Sequence, residues 1–287
     1  MQGFGMISKK KRVAVTLMFL AALVITWLFA PVFARSRALA VMHLYDLDQT
    51  AKGHLKEYPY QVELPYRDPL VLQNRRYSFL PVMNTFDASD GFTAWSGKKR
   101  TLIIDYAVPD FDKNTAGFRQ SFSSFYDHGH PLYNSYFGCY YFGGDRLDKE
   151  TALAVMEYDI RLLALPAIGL PAGQSTFELK QVQELDAITM GGLEWTIYDA
   201  KLVMNGPEHP PQDFKTGYLQ FGKPPAAAGE GLLYPTVEMY GRIYITTLKE
   251  EPLSLGLFGI ASSKEALEGI AETYLEKAEL KVRRKLP

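Results

Sequence analysis

The feature that most constrains this chain is an uncharged run of twenty-two residues, Val13 to Ala34, introduced by Lys9-Lys10-Lys11-Arg12. As a helix rising about 1.5 Å per residue it reaches about 33 Å, enough for a hydrocarbon core of about 30 Å. Basic clusters beside such runs stay in the cytoplasm. The expectation is therefore a cytoplasmic basic N-terminus over 1–12 and a single transmembrane anchor over 13–34. The rest of the chain would lie on the extracytoplasmic side, periplasmic or extracellular, held beside the membrane. A cleaved signal peptide would share the basic start, and Val32-Phe33-Ala34 offers a cleavage site. Val13 to Ala30 is longer than the usual apolar region of about 7–15 residues in such peptides. Arg35 and the helix-compatible pattern after it also favour the anchor.

Beyond Ala34 the chain is long enough for one large domain or two small ones. At 47% hydrophobic residues it can fill a core. With Lys9–Arg12 set aside, 27 basic residues face 32 acidic ones. A mildly acidic surface is a poor match for phosphate backbones, so no nucleic-acid partner is expected. Cys139 is the single cysteine. That excludes an intramolecular disulfide and any multi-cysteine metal or cluster site.

Residues 35–58 read as a juxtamembrane helix, ended by Gly53 and Tyr58-Pro59. A first α+β half is expected over 59–165. Arg76–Val82 is a candidate strand, and Asp87–Gly91 and Ser96-Gly97 carry turn chemistry. A strand follows over Arg100–Val108. Phe118, Phe122 and Phe125 line one face of a helix over 114–126. Tyr133–Phe142 is an aromatic strand, and Asp148 caps a helix that runs to about Ala164. The segment Leu165–Gly173, with two prolines and two glycines, is the best internal boundary.

The second half, 174–280, opens on two strands flanking Gly191-Gly192, the signal of a primed hairpin turn. Residues 205–235 form a long Pro-rich loop. Strands are expected over Val237–Leu248 and Leu253–Ala261. Ser262 with Glu265 reads as a capping box opening a helix to about Ala278. Residues 281–287 form a basic tail. Strands followed by a closing amphipathic helix, twice over, give an α+β fold with a mixed, mainly antiparallel sheet.

Three groups could carry function. In Asp127-His128-Gly129-His130, two imidazoles at i, i+2 on extended backbone share a side and can ligate a metal, with Asp127 orienting one ring. Tyr136 and Tyr140 share one face of their strand with Phe142, and stacked rings on an open face bind glycans or peptides. Glu238, Tyr240, Arg242 and Tyr244 form the outer row of a strand whose inner row is Val237, Met239, Ile243 and Ile245. Tyr and Arg are the side chains interfaces use. No phosphate loop, nucleophile elbow or dinucleotide fingerprint is present, and no cofactor is expected. The leading expectation is a membrane-anchored envelope binding or assembly protein. It would recognise a protein partner, or a glycan or lipid, through Tyr136, Tyr140, Tyr240, Arg242 and Tyr244. Two alternatives share the same address: a metal-dependent hydrolase centred on Asp127, His128 and His130, and an immunity or inhibitor protein that blocks an envelope enzyme.

Overall fold

The computed structural model describes residues 9–29, 60–63, 86–107, 109, 128–144, 146–167, 169–208, 233–248 and 252–282. The chain divides into two compact units, Met1–Leu44 and Tyr45–Pro287. In the first, α1 runs over Lys9–Phe29. Its described side chains from Thr16 to Val24 and on to Thr26 are exposed, among them Leu17, Phe19, Leu20 and Leu23. Among the described residues no helix is long and apolar enough to cross a membrane. The expected anchor starts inside α1, and its residues 30–34 lie outside the described residues, as do the helices expected over 35–58 and 114–126 and the strand over 76–82.

The second unit is built on a seven-stranded antiparallel sheet. Its strands are β2 (Phe86–Asp87), β3 (Thr101–Ala107), β4 (Tyr136–Gly143), β5 (Phe177–Met190), β6 (Leu193–Asn205), β7 (Thr236–Thr247) and β8 (Leu253–Ala261), in the spatial order β2-β3-β4-β8-β7-β6-β5. A separate two-stranded sheet joins β1 (Tyr60–Glu63) to β9 (Glu279–Val282). The α+β class and the antiparallel sheet expected from the sequence are found. The boundary expected at Leu165–Gly173 does not separate two sheets: β4 from the first half pairs along its whole length with β8 from the second.

Helices cover both sheet faces. On one lie α2 (Ser89–Ser96) and α3 (Lys149–Tyr158), the latter continuing as a π-helical turn over Asp159–Ala164 and an α-helical turn over Leu165–Ala167. Val155, Met156 and Ile160 pack there against Leu102, Ile104, Phe142, Leu202, Met239 and Ile243. On the other lies α4 (Lys264–Ile270), followed by a π-helical turn over Ala271–Leu275. Leu267, Ile270, Tyr274 and Leu275 pack against Ile103, Phe137, Tyr141, Leu255 and Leu257. Period-two alternation along each strand feeds the two layers in turn, so β4 and β8 are buried at every position.

Local chemistry explains the element ends. Asp148 Oδ1 accepts from the Thr151 N–H at 2.8 Å, as expected of a cap. The cap of α4 is Ser263, accepting from the Ala266 N–H at 3.1 Å, one residue later than the capping box predicts. Gly191 and Gly192 join β5 to β6 with φ of 59° and 76°. Both angles are left-handed, as a type I′ turn requires, so the hairpin forms where the glycine pair predicts it. The turn chemistry at 87–91 instead starts a helix: Asp87 Oδ1 accepts from the Ser89 N–H at 3.0 Å and from its hydroxyl, leading the chain into α2.

Candidate functional site

The outer row of β7 is solvated at Glu238 and closes over beyond it. Tyr244 is fully buried, Arg242 is 6% exposed, and Tyr240 packs half-buried against the layer under α4. The Arg242 guanidinium makes a double fork. Nε and Nη2 donate to Asp199 on β6 at 2.6 and 2.8 Å, and Nη1 and Nη2 donate to Glu268 on α4 at 2.8 and 2.7 Å. Both carboxylates hold the guanidinium pKa above its ordinary value, against burial. Tyr244 donates to Glu276 at 2.9 Å, and burial pushes its hydroxyl pKa up. The row therefore latches α4 to the sheet. The expectation of an open Tyr/Arg recognition face is corrected, because the closing helix covers it.

The aromatic row of β4 is corrected in the same way. Tyr136 is 4% exposed and Tyr140 not at all. Tyr140 stacks on Phe258 at 4.2 Å between ring centroids, and Tyr136 meets the same ring edge-on. In the histidine loop, His130 Nδ1 accepts from the Leu132 N–H at 3.1 Å and the His128 ring lies 4.9 Å from that of Tyr133. Both interactions shape the turn into β4. Asp127 lies outside the described residues. Among those described, no group of three His, Cys, Asp or Glu side chains could hold a metal ion. Cys139 is a buried free thiol whose pKa burial pushes up, which keeps it an inert core residue.

The structure brings together a polar centre that sequence reasoning missed. Asp159, the first residue of the π-helical turn after α3, is completely buried. Tyr106 on β3 donates its hydroxyl to Oδ1, and Tyr140 on β4 donates to Oδ2 at 2.7 Å. The Tyr136 hydroxyl is also buried nearby and has no partner among the described residues. Burial dominates and raises the Asp159 carboxyl pKa to about 7, while the two tyrosine hydroxyls pull the other way. The tyrosines respond in kind: Tyr106, Tyr136 and Tyr140 are all pushed up, first by burial and then by the adjacent carboxyl.

Such a centre can hold a proton near neutral pH. Phe258 stands edge-on to Tyr106 at 6.0 Å, and the centre lies within the packed layer under α3. Its role is to fasten α3 to two strands at once. A signal for it stood in the sequence: Asp159 falls at i+4 from Val155 and i+3 from Met156, on the apolar stripe of the helix.

What remains open lies at the edges. β5 is fourteen residues long and ends the sheet, and its side chains from Phe177 to Thr189 are exposed or half-buried. Register shifts fall at Leu179/Gln181 and Leu185/Ile188, leaving Gln181–Leu185 in regular pairing with β6 on its inner side. Beside the hairpin tip, an open cleft of about 650 Å³ is lined by Met190, Gly191, Glu276, Lys277 and Glu279 among others. No family model, curated protein or solved structure matches the chain.

Proposed function

We propose that the chain is a membrane-anchored binding or assembly protein of the cell envelope that takes a protein partner along the free edge of its sheet. The observation that carries this reading is β5, a fourteen-residue edge strand on a sheet whose central strands are closed by helices on both faces. Among the described residues no strand pairs with its outer side. A terminal strand offers unpaired N–H and C=O groups to an extended segment of another chain. The two register shifts and the side chains Glu178, Lys180, Glu184 and Asp186 guard that edge against indiscriminate pairing. Three acids against one base favour a partner strand that carries basic residues.

Anchoring over 13–34, with residues 1–12 cytoplasmic and the second unit extracytoplasmic, completes the reading. Its support is the basic first turn of α1 and the apolar side chains exposed at successive positions around the helix, Leu17 to Leu20 and Leu23 to Ile25. A helix apolar all round is at home in protein core or in lipid.

The test uses the full chain in its native membrane with a photoreactive residue at Gln181, at Gln183 or, as a control on α3, at Glu150. Strand addition gives adducts at 181 and 183 that map to one partner segment and step along it by two residues. Absence of adducts at both edge positions, or the same adducts from 150, refutes the reading.

A further inference from the structure

The corner of the second unit formed by α2 and the loop after it combines an exposed indole with three consecutive basic residues. Trp95 is 42% exposed, although its ring lies 5.7 Å from Phe92 and 5.6 Å from Tyr158. Gly97, with φ of 69°, ends the helix in a left-handed cap by donating to the Thr93 carbonyl. Lys98, Lys99 and Arg100 follow at once, the two lysines exposed and Arg100 half-buried.

The loop is held in place. The Arg100 N–H donates to Thr93 Oγ1 at 3.1 Å, and the Thr93 hydroxyl donates back to the Arg100 carbonyl at 3.2 Å. The Arg100 side chain runs across Gly144 on the neighbouring strand end. The indole and the two lysine charges are therefore presented from one short, fastened segment. Among the described residues neither lysine makes an ion pair. Asp90, in the first turn of α2, is the exposed acid of the same helix.

We propose that this corner rests on the anionic lipid surface of the membrane in which the chain is anchored. The chemistry is complementary on two counts. Indoles settle at the headgroup level, where an apolar body and a polar N–H are both accommodated. Lysine and arginine near an anionic leaflet gain from its negative potential within a Debye length. The contact rests on the anchoring reading, because a tether lets a weak patch stay engaged. Its effect is to set the orientation of the second unit above the membrane, and with it the direction in which β5 faces a partner.

The experiment reconstitutes the full chain in lipid nanodiscs made of phosphatidylcholine alone or with about one third phosphatidylglycerol. Amide hydrogen exchange is followed over 89–100. Recovery of the chain with the discs reads the anchor; exchange of this segment reads the contact. Expected is exchange slowed about tenfold in the anionic discs relative to the zwitterionic ones. The slowing should vanish in high salt and in the Lys98→Glu/Lys99→Glu variant, both positions being exposed and outside the core. Equal exchange in both compositions, with the chain recovered in both, overturns the contact and leaves the anchor standing. A chain recovered with neither disc overturns both. Slowing that survives the double substitution shows that the basic run is not its cause and overturns the proposal as well.

Discussion

Replacing Asp159 by asparagine should change how stability depends on pH rather than merely lower it. The carboxyl is fully buried, and its pKa rises from 3.8 to about 7 on folding, burial being the cause. A raised value means that the native state binds this proton more tightly than the unfolded chain. The contribution of Asp159 to stability is therefore complete below about pH 4 and is lost as pH rises through about 7. About three pKa units at about 1.4 kcal/mol each bound the whole effect at roughly 4 kcal/mol, of which roughly 2–3 kcal/mol falls between pH 5 and 8.

Asparagine keeps the shape and can still accept from one tyrosine hydroxyl, but it cannot ionise. Subtracting the variant from the wild type cancels the titration of every other group that the substitution leaves untouched. Denaturant unfolding of the full chain, at pH 5, 6, 7 and 8, is the assay. The wild type should be the more stable of the two at pH 5, with its advantage shrinking by roughly 2–3 kcal/mol by pH 8. A difference that stays constant across this range would refute the argument, since it would mean that Asp159 titrates alike in both states.

Two further sites in the sheet, Arg242 and Gly138, are open to the same kind of test. Arg242→Ala removes the shared partner of Asp199 and Glu268, both of which keep contact with solvent, and should cost roughly 1–3 kcal/mol in thermal or denaturant unfolding; Arg242→Met, which keeps the packing, should cost less. Gly138→Ala places a Cβ against the backbone carbonyl of Asp105 on β3, a group that cannot swing aside. Its cost should exceed about 3 kcal/mol or abolish soluble expression, whereas Gly173→Ala, with open space around its Cβ position, should lie within about 1 kcal/mol of wild type.

Sequence periodicity revealed which residues share a face, but not what covers that face. The shared face of Tyr136, Tyr140 and Phe142 on β4 is found in the structure, and β8 spans the residues expected of it, Leu253–Ala261. A row of Tyr and Arg, however, looks the same under water as under a helix carrying Glu268 and a following turn that ends at Glu276. Only tertiary packing decides, and here α4 folds over it. Pro166, Gly169, Pro171 and Gly173 punctuate the chain locally, which is why they suggest a domain boundary. They say nothing about the long-range pairing of β4 with β8 that unites the halves. β1 and β9 are four residues each, too short for period two to stand out, and they pair across almost the whole unit. Asp159 was legible in principle, as an acid on an apolar stripe, but its two tyrosine partners come from strands brought alongside only by the sheet.

The strand order also sets a timetable. β4 is buried at every position, and its partner β8 begins 110 positions after β4 ends, at Leu253 opposite Gly143. At about 5–20 residues per second, synthesis leaves roughly 5–20 s in which this aromatic strand exists without the neighbour that finally seals it. Pairing at such separation is intrinsically slow to form. A chain delivered across a membrane from its N-terminal end would therefore expose Tyr136 to Phe142 on the far side before β8 arrives. During that interval β4 is an unsealed aromatic edge beside the future centre of the sheet, open to wrong pairing until the C-terminal third closes the fold.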